Sequence, residues 1–439
     1  MAPTFYKLPN GLLIKVYKKL SLADQIRLSS TDRRLRCLGI DEAKIFKSLS
    51  LTWSSRAASD SALLVAARYG SQVRKLTVYV DEIDGQHYVT PPTIPPPAIP
   101  ASCVALLSGQ DETGVPLPLP NLEGLALEFP KTYQTIYDMY RDTSAGKPQL
   151  QANNELVDAI LKAAAARGST DLLLGLSPIT SLKLGNFPLH PSRVLASDDW
   201  QRFAALVEKL EMSVYGDDDD DISTIFQRPY FRLMRYLNRT IMRTWPSVTT
   251  VKFHAHSTSP AGALSQDFPD QNMLLWEPSH MPRLAKIELA NVFITRQLLA
   301  FVTALGRVSL TILEARGDWN RQHNTGHQIS WAQFFNSLAQ IGLADFTLKP
   351  VRWKISDDHS YWMSSRWPIQ RRNAAVMTRL ATNPSLPIFP YFEIGESDGL
   401  LSQRHETTTD EFLRGQDQQA YEWFVDEMAK AWGARVELL

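Results

Sequence analysis

Leu284-Ala285-Lys286-Ile287-Glu288-Leu289 is followed at close range by Arg296-Gln297-Leu298-Leu299-Ala300-Phe301-Val302-Thr303-Ala304-Leu305, and then by a second apolar stretch over 307–314. Ile287 and Leu289 alternate, the period of a strand, whereas the apolar residues of 296–305 recur at helical spacing. The unit is therefore strand, turn, helix, strand. Working outward, the same short apolar strand recurs over 73–80, 122–129, 179–184, 209–215, 248–254, 284–289, 307–314 and 343–349. Leu122, Leu125 and Leu127, and Leu182 and Leu184, carry the same apolar phase. Amphipathic helices are expected between strands at 200–210, 296–305 and 331–338. Successive strand centres are separated by 24 to 56 residues, mostly within the range of repeat architectures. A strand and a helix per unit bury their apolar faces only when neighbouring units stack.

The totals agree with such an array. At 439 residues the chain is long enough for two or three domains or one long repeat array, and 44% hydrophobic residues supply the core. Lys plus Arg and Asp plus Glu number 46 each, so no global charge draws the chain to nucleic acid or to an anionic membrane. The two cysteines, Cys37 and Cys103, lack the spacing of a zinc ribbon or a redox pair and suit a reducing cytoplasm or nucleus. No apolar leader is read at the N-terminus, and the best apolar run, 298–305, is too short for a membrane span. Two segments interrupt the array. A stretch with six prolines at 91–100, within a Pro-rich loop over 90–120, reads as extended chain, and the acidic run 217–221 reads as a solvated loop. Residues 350–439 show no clear unit and are expected to cap the array.

The first fifty residues read differently. Leu12, Leu13, Val16, Tyr17 and Leu20 fall on one helical face, with Lys15, Lys18 and Lys19 opposite and Asn10 as N-cap. Ser21 and Asp24 are spaced as a capping box for a second helix carrying Ile26 and Leu28. A third helix is expected over 31–38, stopped by Gly39. Three short helices in about forty residues make a thin core, and such a unit often needs a partner. Ten basic and four acidic residues give residues 1–50 a net charge of +6.

The stretch 8–20, Leu-Pro-Asn-Gly-Leu-Leu-Ile-Lys-Val-Tyr-Lys-Lys-Leu, followed by Asp24, Ile26, Arg27, Leu28, Ser29 and the basic pair Arg33-Arg34, resembles an F-box. The resemblance covers a tenth of the chain. It departs from the family pattern at Gly11 (usually Glu), Gln25 (usually Leu) and Leu35 (often aromatic). It implies binding to the Skp adaptor of an SCF-type cullin-RING ubiquitin ligase through Leu8, Pro9, Leu12, Leu13, Val16, Tyr17, Leu20 and Ile26, shared between core and interface. It also implies a C-terminal region that holds a protein substrate, and the layout is similar to many fungal F-box proteins. The repeats look like degenerate leucine-rich repeats without the strict spacing. The expected fold is thus an α+β or α/β solenoid: a three-helix F-box at 5–50, a helical linker at 51–70, and an irregular leucine-rich-repeat-like strand–helix array at 71–439.

No catalytic pattern in the chain outweighs this reading. Gly395-Glu396-Ser397-Asp398-Gly399 matches a nucleophile elbow, but only His405 follows it, so a turn is the better reading. His254 and His256 share a strand face without a third ligand, and His323 and His327 lack the intervening Glu of a zinc helix. No phosphate-cradling or dinucleotide glycine motif occurs. The expectation is a non-enzymatic adaptor without cofactor or metal, monomeric outside its complex, with cullin and Skp adaptor as partners. The alternatives are a ligase-independent scaffold with a vestigial F-box, or an enzyme whose site lies among the repeats. Trp245, Trp276, Trp319 and Trp362 are candidates for an exposed binding surface.

Overall fold

A computed structural model describes residues 8–20, 22–42, 45–80, 99–110, 114–115, 119–130, 147–176, 178–188, 190–214, 228–243, 245–257, 260–262, 274–318, 329–351, 366–394, 401–433 and 435–438. The Pro-rich stretch up to residue 98, the acidic run 217–221, the 395–399 motif, Ser21, His323, His327, Trp319 and Trp362 lie outside them.

The N-terminal unit consists of α1 (Asn10–Tyr17), α2 (Leu22–Thr31) and α3 (Arg33–Cys37), continued by a wider helical turn at Leu38–Glu42. Its core is Leu13, Tyr17, Leu35, Leu38 and Ile45. Three local expectations change. Pro9, not Asn10, stands at the N-cap, and the Asn10 side chain instead accepts from the Arg34 guanidinium at 2.6 Å. The helix expected over 31–38 begins after Asp32, whose carboxylate caps the Arg34 and Leu35 N–H groups and so divides α2 from α3. Gly39 does not stop the helix. It lies within the wide turn, where a Cβ would fall 2.5 Å from Ser29 Oγ and 3.1 Å from the Tyr17 ring, so glycine is needed for close approach.

Beyond this unit the chain is α/β, built on a mostly parallel sheet. The strands are β1 (Ser48–Thr52), β2 (Lys75–Tyr79), β3 (Gly124–Glu128), β4 (Ser181–Phe187), β5 (Lys209–Val214), β6 (Thr250–His254) and β7 (Lys286–Ala290), then β8 (Phe293–Ile294), β9 (Ser309–Asp318), β10 (Asp345–Pro350), β11 (Tyr391–Ile394), β12 (Leu401–Gln403) and β13 (Arg435–Leu438). The main path runs β1-β2-β3-β4-β5-β6-β7-β9-β10-β13, each strand parallel to the next. All eight expected strands are in it. Leu76, Leu125, Leu182, Leu210, Val251, Ile287, Leu310 and Phe346 form one continuous row across the sheet. The intervals between them match the expected spacing within one residue, so the irregular period belongs to the fold itself. Residues 51–70, expected as a helical linker, hold the end of β1 and all of α4 (Arg56–Tyr69), and β1 is the first strand of the sheet.

The intervening helices are α5 (Ala101–Ser108), α6 (Lys147–Leu173), α7 (Asp198–Ala204), α8 (Arg228–Arg239), α9 (Arg296–Leu305), α10 (Trp331–Leu338), α11 (Arg366–Thr382), α12 (His405–Arg414) and α13 (Gln416–Glu427). Ser197, Thr295 and Ser330 cap α7, α9 and α10, which fixes where each strand-to-helix turn ends. Together with the leucine rows, α4 to α10 and α13 form one continuous core. Residues 350–439 are woven into it. Phe335 on α10 packs against Phe389, Tyr421 and Phe424, and β13 adds the edge strand beside β10. No described helix is long and apolar enough to cross a membrane.

Two asparagines missed in the sequence reading hold the strand ends. Asn186 and Asn291 adopt left-handed φ of 50° and 55°. Their side-chain amides donate to the preceding unit, Asn186 to Phe129 O at 3.2 Å and Asn291 to Ala255 O at 2.8 Å. Asparagine tolerates this conformation and can satisfy an orphan carbonyl from it.

Candidate functional site

Two surfaces remain once the cores are assigned. The first belongs to the N-terminal helices. Leu13 and Tyr17 are fully buried, and the Tyr17 hydroxyl donates to Leu35 O at 2.7 Å. These two residues hold the helices together and face no solvent, so of the eight expected adaptor contacts they serve the core. Leu8, Val16 and Leu20 are half-buried, and Pro9 is exposed. Leu12 on α1 is 47% exposed and Ile26 on α2 is 44% exposed.

Of the residues that depart from the F-box pattern, Gln25 and Leu35 have local roles, Leu35 in the core of the unit. Gln25 Nε2 donates to Tyr17 O at 2.7 Å and to Leu20 O at 3.1 Å, closing the carbonyl end of α1 onto α2. Gly11 has nothing within 4 Å of where its Cβ would stand, so no contact requires glycine there. Arg34 also donates to Leu8 O at 3.0 Å, which ties down the segment leading into α1. Phe46 stacks on Tyr69 of α4 with ring centroids 4.3 Å apart, so an aromatic pair joins the helices to the sheet region.

The second surface is the sheet face that carries no leucine rows. Side chains alternate along a strand, so the residues between the buried positions point to the other face. Lys183, Glu211, Lys252 and Glu288 stand in one row on successive strands β4 to β7. Lys183 pairs with Glu128 at 2.8 Å and Glu211 at 3.3 Å, and Lys252 and His254 pair with Glu288 at 3.0 and 3.1 Å. Hydrogen bonding to Glu128 raises the Lys183 pKa, against the opposing effect of burial. Burial works against ionisation of Glu288, but the bonds and charges of Lys252 and His254 outweigh it and its carboxyl lies below the usual range. This charged row was legible as the polar residues between Leu182 and Leu184 or Leu210 and Met212, but the sequence reading used only the apolar phase.

At the N-terminal ends of β2 to β6 the same face forms an open trough of about 370 Å³, which reaches up to Lys183, Glu211 and Lys252 of the charged row. Lys75, Gly124, Ser181, Lys209 and Thr250 stand in one register row along it.

The remaining candidates lie elsewhere. Trp245 and Trp276 are buried core residues, so neither offers a binding surface; Trp245 is 0% exposed. His254 faces Glu288, and among the described residues no three His, Cys, Asp or Glu side chains are grouped to hold a metal. Burial pushes the Cys103 thiol up to about 12, and it lies in the core. Burial also raises the carboxyls of Asp171 and Asp417, but Asp171 faces Arg167 at 2.7 Å inside the core. Asp417 accepts from Ala332 N at 2.8 Å and from the Tyr391 hydroxyl at 3.0 Å.

Comparison with models of protein families and with curated proteins finds no match to this chain.

Proposed function

We propose that this chain is the substrate-recognition adaptor of an SCF-type ubiquitin ligase, acting without catalysis of its own in the cytoplasm or nucleus. The N-terminal helices would be an F-box that docks on the Skp adaptor and, through it, on the cullin. The sheet and its helices would be a degenerate leucine-rich-repeat array whose open face holds a protein substrate. The mechanism is proximity: the bound substrate is kept within reach of a separate conjugating enzyme, which raises its effective concentration.

The observation that carries this reading is the exposure of Pro9, Leu12 and Ile26 on a unit whose core is already closed by other side chains. A unit this small leaves apolar surface over, and a partner would cover it. The surplus of basic residues around it would speed and orient encounter with an acidic partner. In support of the repeat reading, Asn186 and Asn291 repeat the same turn on different units and bond back to the unit before.

The test is co-purification of the Skp adaptor and cullin with the full chain and with a Leu12→Asp, Ile26→Asp double variant. Both side chains are about half exposed and neither belongs to the core of the unit, and thermal melting checks that the variant keeps its fold. Capture by the wild type and loss in the variant is the expected result, and equal capture by both would overturn the assignment of this face.

A ligase-independent scaffold is the second reading. Gly11 favours it, because a helix-weakening glycine with no steric requirement stands where the family carries glutamate. Failure of the folded wild type to capture the adaptor would put this reading first.

A further inference from the structure

The overall charge of the chain is zero, yet the trough is strongly one-sided. Six cationic side chains line it (Lys47, Arg74, Lys75, Lys183, Lys209 and Lys252) against two carboxylates, Glu123 and Glu211. Three of the cations are already engaged. Arg74 meets Glu123 at 2.8 Å, Lys183 meets Glu128 and Glu211, and Lys252 meets Glu288. Lys47, Lys75 and Lys209 have no carboxylate partner among the described residues.

Lys75 and Lys209 occupy the same register row on β2 and β5. Three strand spacings separate them, roughly 14 Å. Between them the row holds only Gly124 and Ser181. A Cβ on Gly124 would meet nothing closer than 3.7 Å, so a side chain there would stand in the trough and not in the core. The floor is low and the walls are positive. An extended polypeptide advances about 3.5 Å per residue, so two of its carboxylates four residues apart span the same distance.

We propose that this trough binds an acidic, extended segment of the substrate, with carboxylates about four residues apart seated on Lys75 and Lys209. The proposal rests on reading the open face as the substrate-binding surface, and it supplies the substrate class that the reading leaves open.

The test uses the purified full chain without adaptor or cullin. A fluorescent ten-residue peptide of Ser and Gly with two Asp pairs centred four residues apart is titrated by anisotropy, beside a peptide with Asn for Asp and a twelve-nucleotide single-stranded DNA. Expected are binding of the acidic peptide alone, weakened by added salt, and a loss of at least tenfold in a Lys75→Glu, Lys209→Glu variant. Gly124→Leu blocks the floor without changing charge and should cost a similar factor. A charge-matched control, Lys162→Glu with Lys430→Glu on exposed helical sites, should bind as wild type, and thermal melting checks that every variant is folded. Equal binding by the control-site and trough variants, no binding of the acidic peptide, or tighter binding of the DNA through the same lysines would each overturn the proposal. Because the adaptor is absent from the assay, peptide binding with no adaptor capture would sink only the ligase reading, and adaptor capture with no peptide binding would sink only this one.

Discussion

Residues 8–42 close a core on five buried side chains, with Ile45 the last of them just beyond, whereas the sheet region runs one unbroken core through ten consecutive parallel strands and the helices behind them. The small unit does not cover all of its own apolar residues, and Leu12 and Ile26 stay about half exposed. The large one covers its leucine rows and leaves a face of paired charges and a lysine-walled trough. The same chain therefore leaves Leu12 and Ile26 about half exposed on its thin-cored unit and a charged trough on its deep-cored sheet, whose helices also expose Leu64 and Leu173. The first is suited to a lasting contact with a folded partner, the second to selecting by charge.

The largest effect that would separate the two regions comes from removing one buried aromatic from each. Trp331 is fully buried against Phe334, Phe335 and Phe389, and its indole donates to Pro390 O at 3.2 Å. Trp331→Ala should cost about 3–5 kcal/mol, as should Tyr17→Ala, which also loses the bond to Leu35 O. In the sheet region this lowers the denaturation midpoint of a still-folded protein. In the five-residue core it should unfold the helices outright while the sheet persists. Limited proteolysis should then cleave the Tyr17→Ala protein only before β1. Cleavage throughout would mean that the two regions fold as one cooperative unit.

Next in size is a pH effect confined to the sheet region. Burial pushes the Asp417 carboxyl up to about 6 from the usual 3.8, against the bonds from Ala332 and Tyr391, and the charge of Glu411 adds to the rise. The folded state thus binds this proton more tightly than the unfolded chain. Below about pH 4 both states hold it and it costs nothing; between about pH 4 and 6 the folded state progressively loses stability, and above that the loss stays near 3 kcal/mol. Urea unfolding at three pH values should show this slope in the wild type and not in Asp417→Asn. Identical slopes in the two proteins would refute it.

Two smaller changes probe how far the helical unit is from its limit. Gln25→Leu removes both bonds to the end of α1 and should cost about 1 kcal/mol, even though it restores the more usual F-box residue. Gly11→Ala should stabilise the unit by about 0.5–1 kcal/mol, since its Cβ meets nothing. If thermal melting shifts the sheet transition instead, the helices and the sheet are coupled through the Phe46–Tyr69 stack more strongly than their separate cores suggest.

Much of this was readable from residue order. The eight strands stood out because an apolar residue every second position is a local signal, and α9 and α10 because their apolar residues recur at helical spacing. β1 was not, because Ser48-Leu49-Ser50-Leu51-Thr52 is short and adjoins a helical stretch. Asp32 was passed over as a cap because the third helix was read as starting at Thr31, one residue before it. Trp245 and Trp276 carried no signal for their side of the fold, since a large amphipathic ring is found in cores and on surfaces alike.

Alternation and composition alone determined that this chain would stack parallel strands against helices, because burial of a period-two apolar phase leaves few other arrangements. They also determined that its first forty residues would form a unit with a thin core. Only the tertiary structure decided that Leu13 and Tyr17 turn inward while Leu12 and Ile26 stay about half exposed, because helical spacing places Leu12, Leu13 and Tyr17 together on α1 and Ile26 on a separate helix, and packing alone chooses among them. It alone decided that Lys75 and Lys209, 134 positions apart, stand on one row with nothing larger than serine between them. Register across strands is set by the whole sheet, and no local stretch of sequence contains it.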